Sequence, residues 1–421
     1  MFPKLQLEPT RVFLFMEIAF GVFFGMVVAT NSLYEATVAG LSPLQLVLIG
    51  TMLEISTFVF EVPTGIVADI YSRRLSIIIG YLLIGLGFLI EGFFPAFLPI
   101  LLAQVVWGLG YTFTSGAKQA WITDEIGEEN ANRLFLRAAR LGAFAWLFVL
   151  GVTLLIGAHH LAIPIRVGAI GLVLTGVVLA FIMPETGFRP TPQEDRNTWQ
   201  HMWYVFDQGV RELRVHPRLI NIVFIGLFYG LYSEGFDRLS VKLLLDNFRL
   251  PVFFGSNQLS FFIMLEAIGA VLYLFVVRFV EKRLDTNSPR AIGRAMLLVT
   301  ALITVTMLTF ALAPSLLLAV IAMTAVGLLR GVSGPLQTTW INQKLDSRVR
   351  ATIHSIFGQV DAIGQTMGGP AVGLVANLFS VRLAVSISSL LLSPALVFIQ
   401  RANRIHPPNA EVQDRLSEPV A

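Results

Sequence analysis

The chain has 421 residues, 55% of them hydrophobic and only 14% charged, so its apolar surface exceeds what one soluble core can hide, and a bilayer is the solvent it suits. Thirty Lys and Arg against 27 Asp and Glu leave a net charge of +3, a balance that reads as membrane topology rather than a nucleic-acid footprint. The absence of cysteine excludes disulfides, thiolate nucleophiles and Cys-ligated metals.

A helix crossing about 30 Å of hydrocarbon needs roughly 20 residues. Twelve runs of that order follow one another: 12–36, 44–68, 75–94, 97–117, 135–157, 163–183, 217–236, 253–280, 291–312, 314–334, 350–376 and 380–400. Lipid offers the backbone no hydrogen-bond partners, and runs this continuously apolar lack the alternation of barrel strands. The fold class is therefore an all-α polytopic membrane protein with twelve transmembrane helices. The first run has no cleavable-signal pattern and is expected to remain as a membrane anchor.

Pro184 to Arg218 is the long polar interruption, and it divides the runs into six and six. The expected organisation is a six-helix bundle over 1–183, a linker over 184–216, a second bundle over 217–400 and a disordered tail over 401–421. Within the linker, Trp199, Trp203, Phe206, Val210 and Leu213 recur at helical spacing and predict a helix whose apolar stripe lies on the bilayer or packs against loops of the protein itself. A shift of 219 superposes Gly108-Leu109 on Gly327-Leu328 and Trp121-Ile122 on Trp340-Ile341, a faint internal repeat.

Of the 30 basic residues, 25 fall on the side of the N-terminus; Arg166, Arg238, Lys242, Arg249 and Arg382 fall on the other. Cytoplasmic loops retain Lys and Arg, so both termini are expected inside a plasma (inner) membrane.

Gly65, Asp69, Arg73 and Arg74 stand in the turn after the second run. Their spacing resembles the loop signature of the major facilitator superfamily, as do twelve spans, a central linker and inside termini. Ser72 replaces the signature's usual second glycine, and Glu61-Val62-Pro63-Thr64 before the turn is similar to drug-exporter branches. Independently of any family, Arg73 or Arg74 can pair with Asp124 or Glu125 at the end of the fourth run, and Asp69 can reach the N-terminus of the eleventh. The resemblance implies that such a latch forms in one transport state and breaks in the other. Gly364, Gly368, Gly369, Pro370 and Gly373 in the eleventh run predict a closely packed, bending seam.

An ionised side chain at mid-depth in a helix costs on the order of 2.5–3.5 kcal/mol, so it faces a cavity or a partner. Glu54, Glu266 and Asp361 lie near mid-depth, Arg330 in the inner half of its run and Glu17 in the inner part of the first. Low dielectric favours the neutral form of a carboxyl group, which makes the first three candidate proton carriers; the competing reading is a structural pair of Asp361 or Glu266 with Arg330. Glu91, Glu234, Asp237 and Arg238 are expected at a hydrated outer rim, where the Glu234 to Arg238 group can close a gate. Phe20, Phe24, Tyr111, Phe113, Tyr229 and Tyr232 are candidates for lining an apolar cavity.

These readings favour a monomeric secondary transporter that exports amphipathic small molecules in exchange for protons. An importer of an anion held by Arg330, and a non-transporting receptor or assembly factor, are the alternatives. No nucleotide-binding loop, paired-histidine metal motif or nucleophile elbow occurs, so neither enzyme chemistry nor a cofactor is expected.

Overall fold

The computed structural model describes residues 7–190, 217–254, 257–286, 288–344 and 347–404, and every regular element among them is an α-helix. Local chemistry sets the starts. Pro9, Pro43 and Pro289 occupy first-turn positions whose N–H no helix needs. Ser42 accepts from the Gln45 backbone N–H while the Gln45 side chain accepts from that of Ser42, and Ser72, Ser288 and Ser380 each cap the residue three further on.

The spans run Pro9–Thr37, Pro43–Ile70 and Arg73–Phe93, then a fourth in two pieces, Phe97–Thr114 and Ala117–Ile126. Gly116 between those pieces sits at φ 70°, a conformation that disfavours any side chain. Spans five and six are Glu128–Gly157 and Ala162–Ile182; spans seven to eleven are Pro217–Asn247, Leu259–Arg283, Pro289–Leu312, Leu316–Lys344 and Ser347–Leu378. Span twelve is again divided, Val381–Leu391 and Ser393–Arg404. Ten of these are long and apolar enough to cross a membrane by composition; spans seven and eleven, which carry Glu234, Asp237, Arg238 and Asp361, complete the twelve.

Several boundaries differ from expectation: span four runs to Ile126 rather than 117, span five starts at Glu128 rather than 135, span eight starts at Leu259 rather than 253, and span ten runs to Lys344 rather than 334. Span seven continues to Asn247 rather than ending at 236, because the polar turn from Ser233 to Arg238 lowers hydropathy without breaking the helix. Span twelve continues to Arg404, past 400. The linker stretch from Trp199 to Leu213 and the tail beyond Arg404 lie outside the described residues.

An even number of spans puts both ends of the described chain on one face of the bundle, here the terminal face; the turns after 37, 93, 157, 247, 312 and 378 form the far face. Burial divides the interior into two cores, one built from Val12 to Met183 and one mostly from Ile222 to Ala402. The tryptophans of the internal repeat have equivalent roles: Trp121 donates to the Pro184 carbonyl and Trp340 to Asn403 Oδ1, both at 2.9 Å, each tying the fourth span of its set to the end of the sixth.

The two sets meet toward the far face. Gly364 and Gly368 of span eleven lie against the backbone of span seven at Leu227, Gly230 and Leu231, while Gly369 and Gly373 face Leu44, Val47 and Thr51 of span two. A β-carbon at Gly364 or Gly368 would collide with backbone, so this stripe lets one helix pack closely on two partners. On the same face, Asn257 Nδ2 donates to the Gly157 carbonyl at 2.8 Å.

Candidate substrate chamber and gating loop

Spans seven, ten and eleven enclose a polar cavity of about 230 Å³ lined by Tyr229, Tyr232, Asp237, Arg330, Asp361 and Gln365, among others. Each side chain arrives from a mid-depth helical turn. Arg330 grips Asp237 with both guanidinium nitrogens, the second contact at 2.8 Å, and its plane lies 5.6 and 5.7 Å from the ring centres of Tyr232 and Phe236. A bidentate pair flanked by two rings is a rigid arrangement, with cation–π attraction added to the ion pair. Gln365 donates to Asp361 Oδ2 at 2.7 Å. Tyr229 shares its hydroxyl with Thr300 at 2.7 Å and Ser333 at 3.3 Å, so the wall is held by hydrogen bonds from three spans.

A second, apolar cavity of about 410 Å³ is lined by Trp146, Phe236, Leu265, Glu266, Tyr273 and Met323, among others, and the Phe236 ring in its wall stands 5.7 Å from the Arg330 guanidinium of the first. Trp146 comes from span five, so this chamber lies between the two sets of helices. Phe236 and Asp237 are consecutive in span seven, as are Arg330 and Gly331 in span ten; each pair places one residue in either chamber. The arrangement offers one end for polar or charged groups and another for hydrocarbon.

Glu54, half-buried in span two, is within electrostatic reach of Glu234, Arg238 and Asp361, but it is not among the residues lining the polar cavity that Asp361 borders. Glu266 stands apart in the apolar chamber. Arg330 pairs with neither Asp361 nor Glu266: its partner is Asp237, which the sequence reading set at the outer rim because span seven was expected to end there. Glu17 lies nearer the terminal face, where Lys118 Nζ reaches its carboxylate at 2.7 Å and stands 4.9 Å from the Phe20 ring centre.

The outer-rim reading fails for two more residues: Glu91 is fully buried and Glu234 is 4% exposed. The expected aromatic lining is also divided. Tyr229 and Tyr232 border the polar chamber, whereas Phe20 and Phe24 stack on each other and pack with Tyr81, Phe88 and Trp107 in the first core.

In the gating loop, Arg73 forms an ion pair with Asp124, the partner that charge and position predict. Arg74 instead donates to the Ala180 carbonyl, and its backbone N–H, together with the Ser72 hydroxyl, binds Glu185. Ser72 thus supplies both a helix cap and a tie to the end of span six. Glu125 accepts from Thr186 and Gly187, so the turn after span two is joined to the ends of spans four and six. Gly65 and Asp69 lie in the last turns of span two, with open space where a Gly65 side chain would go. The side chains at the start of span eleven, the other half of the expected latch, lie outside the described residues.

Twelve membrane-length helices in two sets of six, with a charged mid-depth chamber in the second set, are the architecture of a membrane transporter. The family model of the Major Facilitator Superfamily matches residues 13–369, and the chain belongs to that family. The chain is 22% identical over 360 residues to the uncharacterized MFS-type transporter YxaM of Bacillus subtilis (strain 168), covering 84% of this chain and 86% of that one. Among solved structures it resembles the nucleoside transporter NupG, with a TM-score of 0.73 at 14% identity over 95% of this chain and 100% of that one. It also resembles a bacterial homologue of the human lysosomal transporter Spinster in an inward-facing, unoccupied conformation, with a TM-score of 0.70 at 16% identity over 94% and 96%. At these identities the likeness shows the fold.

Proposed function

We propose that the chain is a proton-coupled secondary transporter that carries amphipathic organic compounds out across the plasma membrane as a monomer. The observation that carries this reading is the pair of neighbouring chambers, one polar and one apolar, divided by Phe236, Asp237 and Arg330 near the seam between the two sets of helices. A ligand with a charged or hydrogen-bonding head and a hydrocarbon body fits both at once. The excess of Lys and Arg on the terminal face supports its assignment to the cytoplasm.

Asp361 and Glu54 are the proposed proton carriers: Asp361 borders the polar chamber, and Glu54 lies at mid-depth in span two, which packs on span eleven across a seam that must open and close for alternating access. Glu266, alone in the apolar chamber, is the proposed contact for a cationic group. The loop of Gly65, Asp69, Arg73, Arg74 and Asp124 is the proposed gate on the cytoplasmic face. Export is favoured over anion import because Asp237 already occupies both arms of Arg330.

The test is flux in proteoliposomes under an imposed pH gradient, comparing lipophilic cationic dyes with nucleosides, peptides and organic anions. Proton-driven movement of the dyes, lost in Asp361→Asn and Glu54→Gln, is the expected result. Wild-type flux in both variants, or selective movement of anions, would overturn the reading.

A further inference from the structure

Between mid-depth and the far face, three carboxyl groups and one guanidinium are buried, Glu35 and Glu91 near the far ends of spans one and three and Glu234 and Arg238 deeper, at the middle of span seven. Glu35 of span one is 2% exposed, Glu91 of span three 0% and Glu234 of span seven 4%. Glu35 was not singled out from the sequence, since it lies close to a helix end where water is the usual partner.

The carboxyls of Glu35 and Glu91 are within hydrogen-bond reach of each other. Asn31 Nδ2 donates to Glu35 at 2.9 Å and Gln104 Nε2 to Glu91 at 3.4 Å. Arg238, from the other set of helices, acts electrostatically on both acids and lies 3.5 Å from Glu234. Glu91 Oε1, Glu234 Oε2 and Arg238 Nε have no hydrogen-bond partner among the described residues. The remaining charged or titratable neighbours are Asp237 and Glu54, which act on Arg238, Arg166, which donates to the Gly92 carbonyl at 2.8 Å, and Tyr34, which donates to the Glu91 carbonyl at 2.9 Å.

Two carboxylate ions cannot donate to one another; a hydrogen bond between them contains a proton. With all three acids ionised, one guanidinium leaves two negative charges uncompensated where water is excluded, and a single proton between Glu35 and Glu91 removes one of them. A proton held between the two carboxyls needs no further ligands, which suits a pair closed in by Asn31 and Gln104. The site also lies in the contact between the two sets, because Glu234 and Arg238 fill the space beside Gly50 of span two where a β-carbon would stand.

We propose that Glu35 and Glu91 form a proton-binding site that latches the far face: a shared proton holds the seam closed over Arg238 and Glu234, and its loss opens the seam. On opening, the shared O–H bond breaks, the proton passes to far-side water, and two neighbouring carboxylates remain that repel and hydrate. The latch does not depend on the identity of the substrate or on which residue carries the coupled proton.

The chain contains no cysteine, so spin labels can be placed without removing native thiols. Val38→Cys and Phe379→Cys put exposed labels on the far face of the two sets, and their separation is read by pulsed electron resonance in lipid nanodiscs. It is measured at about pH 5 and about pH 9, on either side of the range in which buried carboxyls titrate. The expected result is a short distance in acid, a growing long-distance population in alkali, and loss of that response in Glu35→Gln and in Glu91→Gln. Glu129→Gln, a surface control, keeps it. A wild-type distance that ignores pH, or glutamine variants that open in alkali as the wild type does, would overturn the latch. If the distance responds while vesicles show no proton-driven flux, the latch stands and the transport reading fails.

Discussion

Both sets of six helices tie their first helix to their fourth with an acid–base pair beside an aromatic ring, but at different depths. In the N-terminal set, Glu17 and Lys118 meet near the terminal face under Phe20. In the C-terminal set, Asp237 and Arg330 meet at mid-depth between Tyr232 and Phe236. Exposure does not separate the pairs, since the side chains of Lys118 and Glu17 are 15% and 29% exposed and those of Arg330 and Asp237 29% and 42%; depth separates them, and a charge pair at mid-depth faces a cavity. The difference locates the chamber in the C-terminal set and leaves the N-terminal set to supply seam and loop.

The sharpest way to break this contrast is Arg330→Gln, which strands Asp237. Transport is expected to fall below detection. Thermal unfolding in detergent is expected to show a loss of about 2 kcal/mol, less than the 3–5 of a fully buried pair because Asp237 is 42% exposed. Asp237→Asn combined with Arg330→Gln should recover most of the stability without recovering flux; recovery of flux would show that the pair is only scaffolding. Next in size, Asp361→Asn is expected to lower proton-driven flux by at least about tenfold, equivalent to ~1.4 kcal/mol, while substrate exchange without a pH gradient continues.

The equivalent tryptophans offer a matched comparison between the sets. Trp121→Phe and Trp340→Phe each remove one buried N–H donor, and each is expected to cost about 1 kcal/mol in denaturant unfolding. Unequal losses would show that the repeat is geometric but not energetic. Smallest in its effect on transport, Lys118→Gln, which keeps a hydrogen-bond donor for Glu17, is expected to cost about 1 kcal/mol and to leave flux within twofold of wild type, about 0.4 kcal/mol. Gly327→Leu sharpens the chamber assignment: nothing lies within 4 Å of the added β-carbon. Stability should hold while transport of bulky substrates falls against that of small ones.

Span positions were legible because crossing hydrocarbon demands a long apolar run, and that demand leaves its mark in consecutive residues. The Arg73 to Asp124 pairing was legible too, since both sit in short turns on one face, where few partners are in reach. The Asp237–Arg330 pair was not, because hydropathy ended span seven early and so set Asp237 at the rim. Glu35 and Glu91 were equally hidden, for they are 56 residues apart in sequence and nothing local in either helix indicates that they face each other.

The amino-acid order alone determined that this chain is a bundle of membrane-crossing helices with its basic residues gathered on one face, since those properties follow from transfer free energies summed along each segment. Which acids share a pocket, which arginine is already paired and where the two sets close were decided by the angular position of each side chain and by glycine contacts between helices. Those contacts join residues far apart in sequence, so they exist only once the helices have packed.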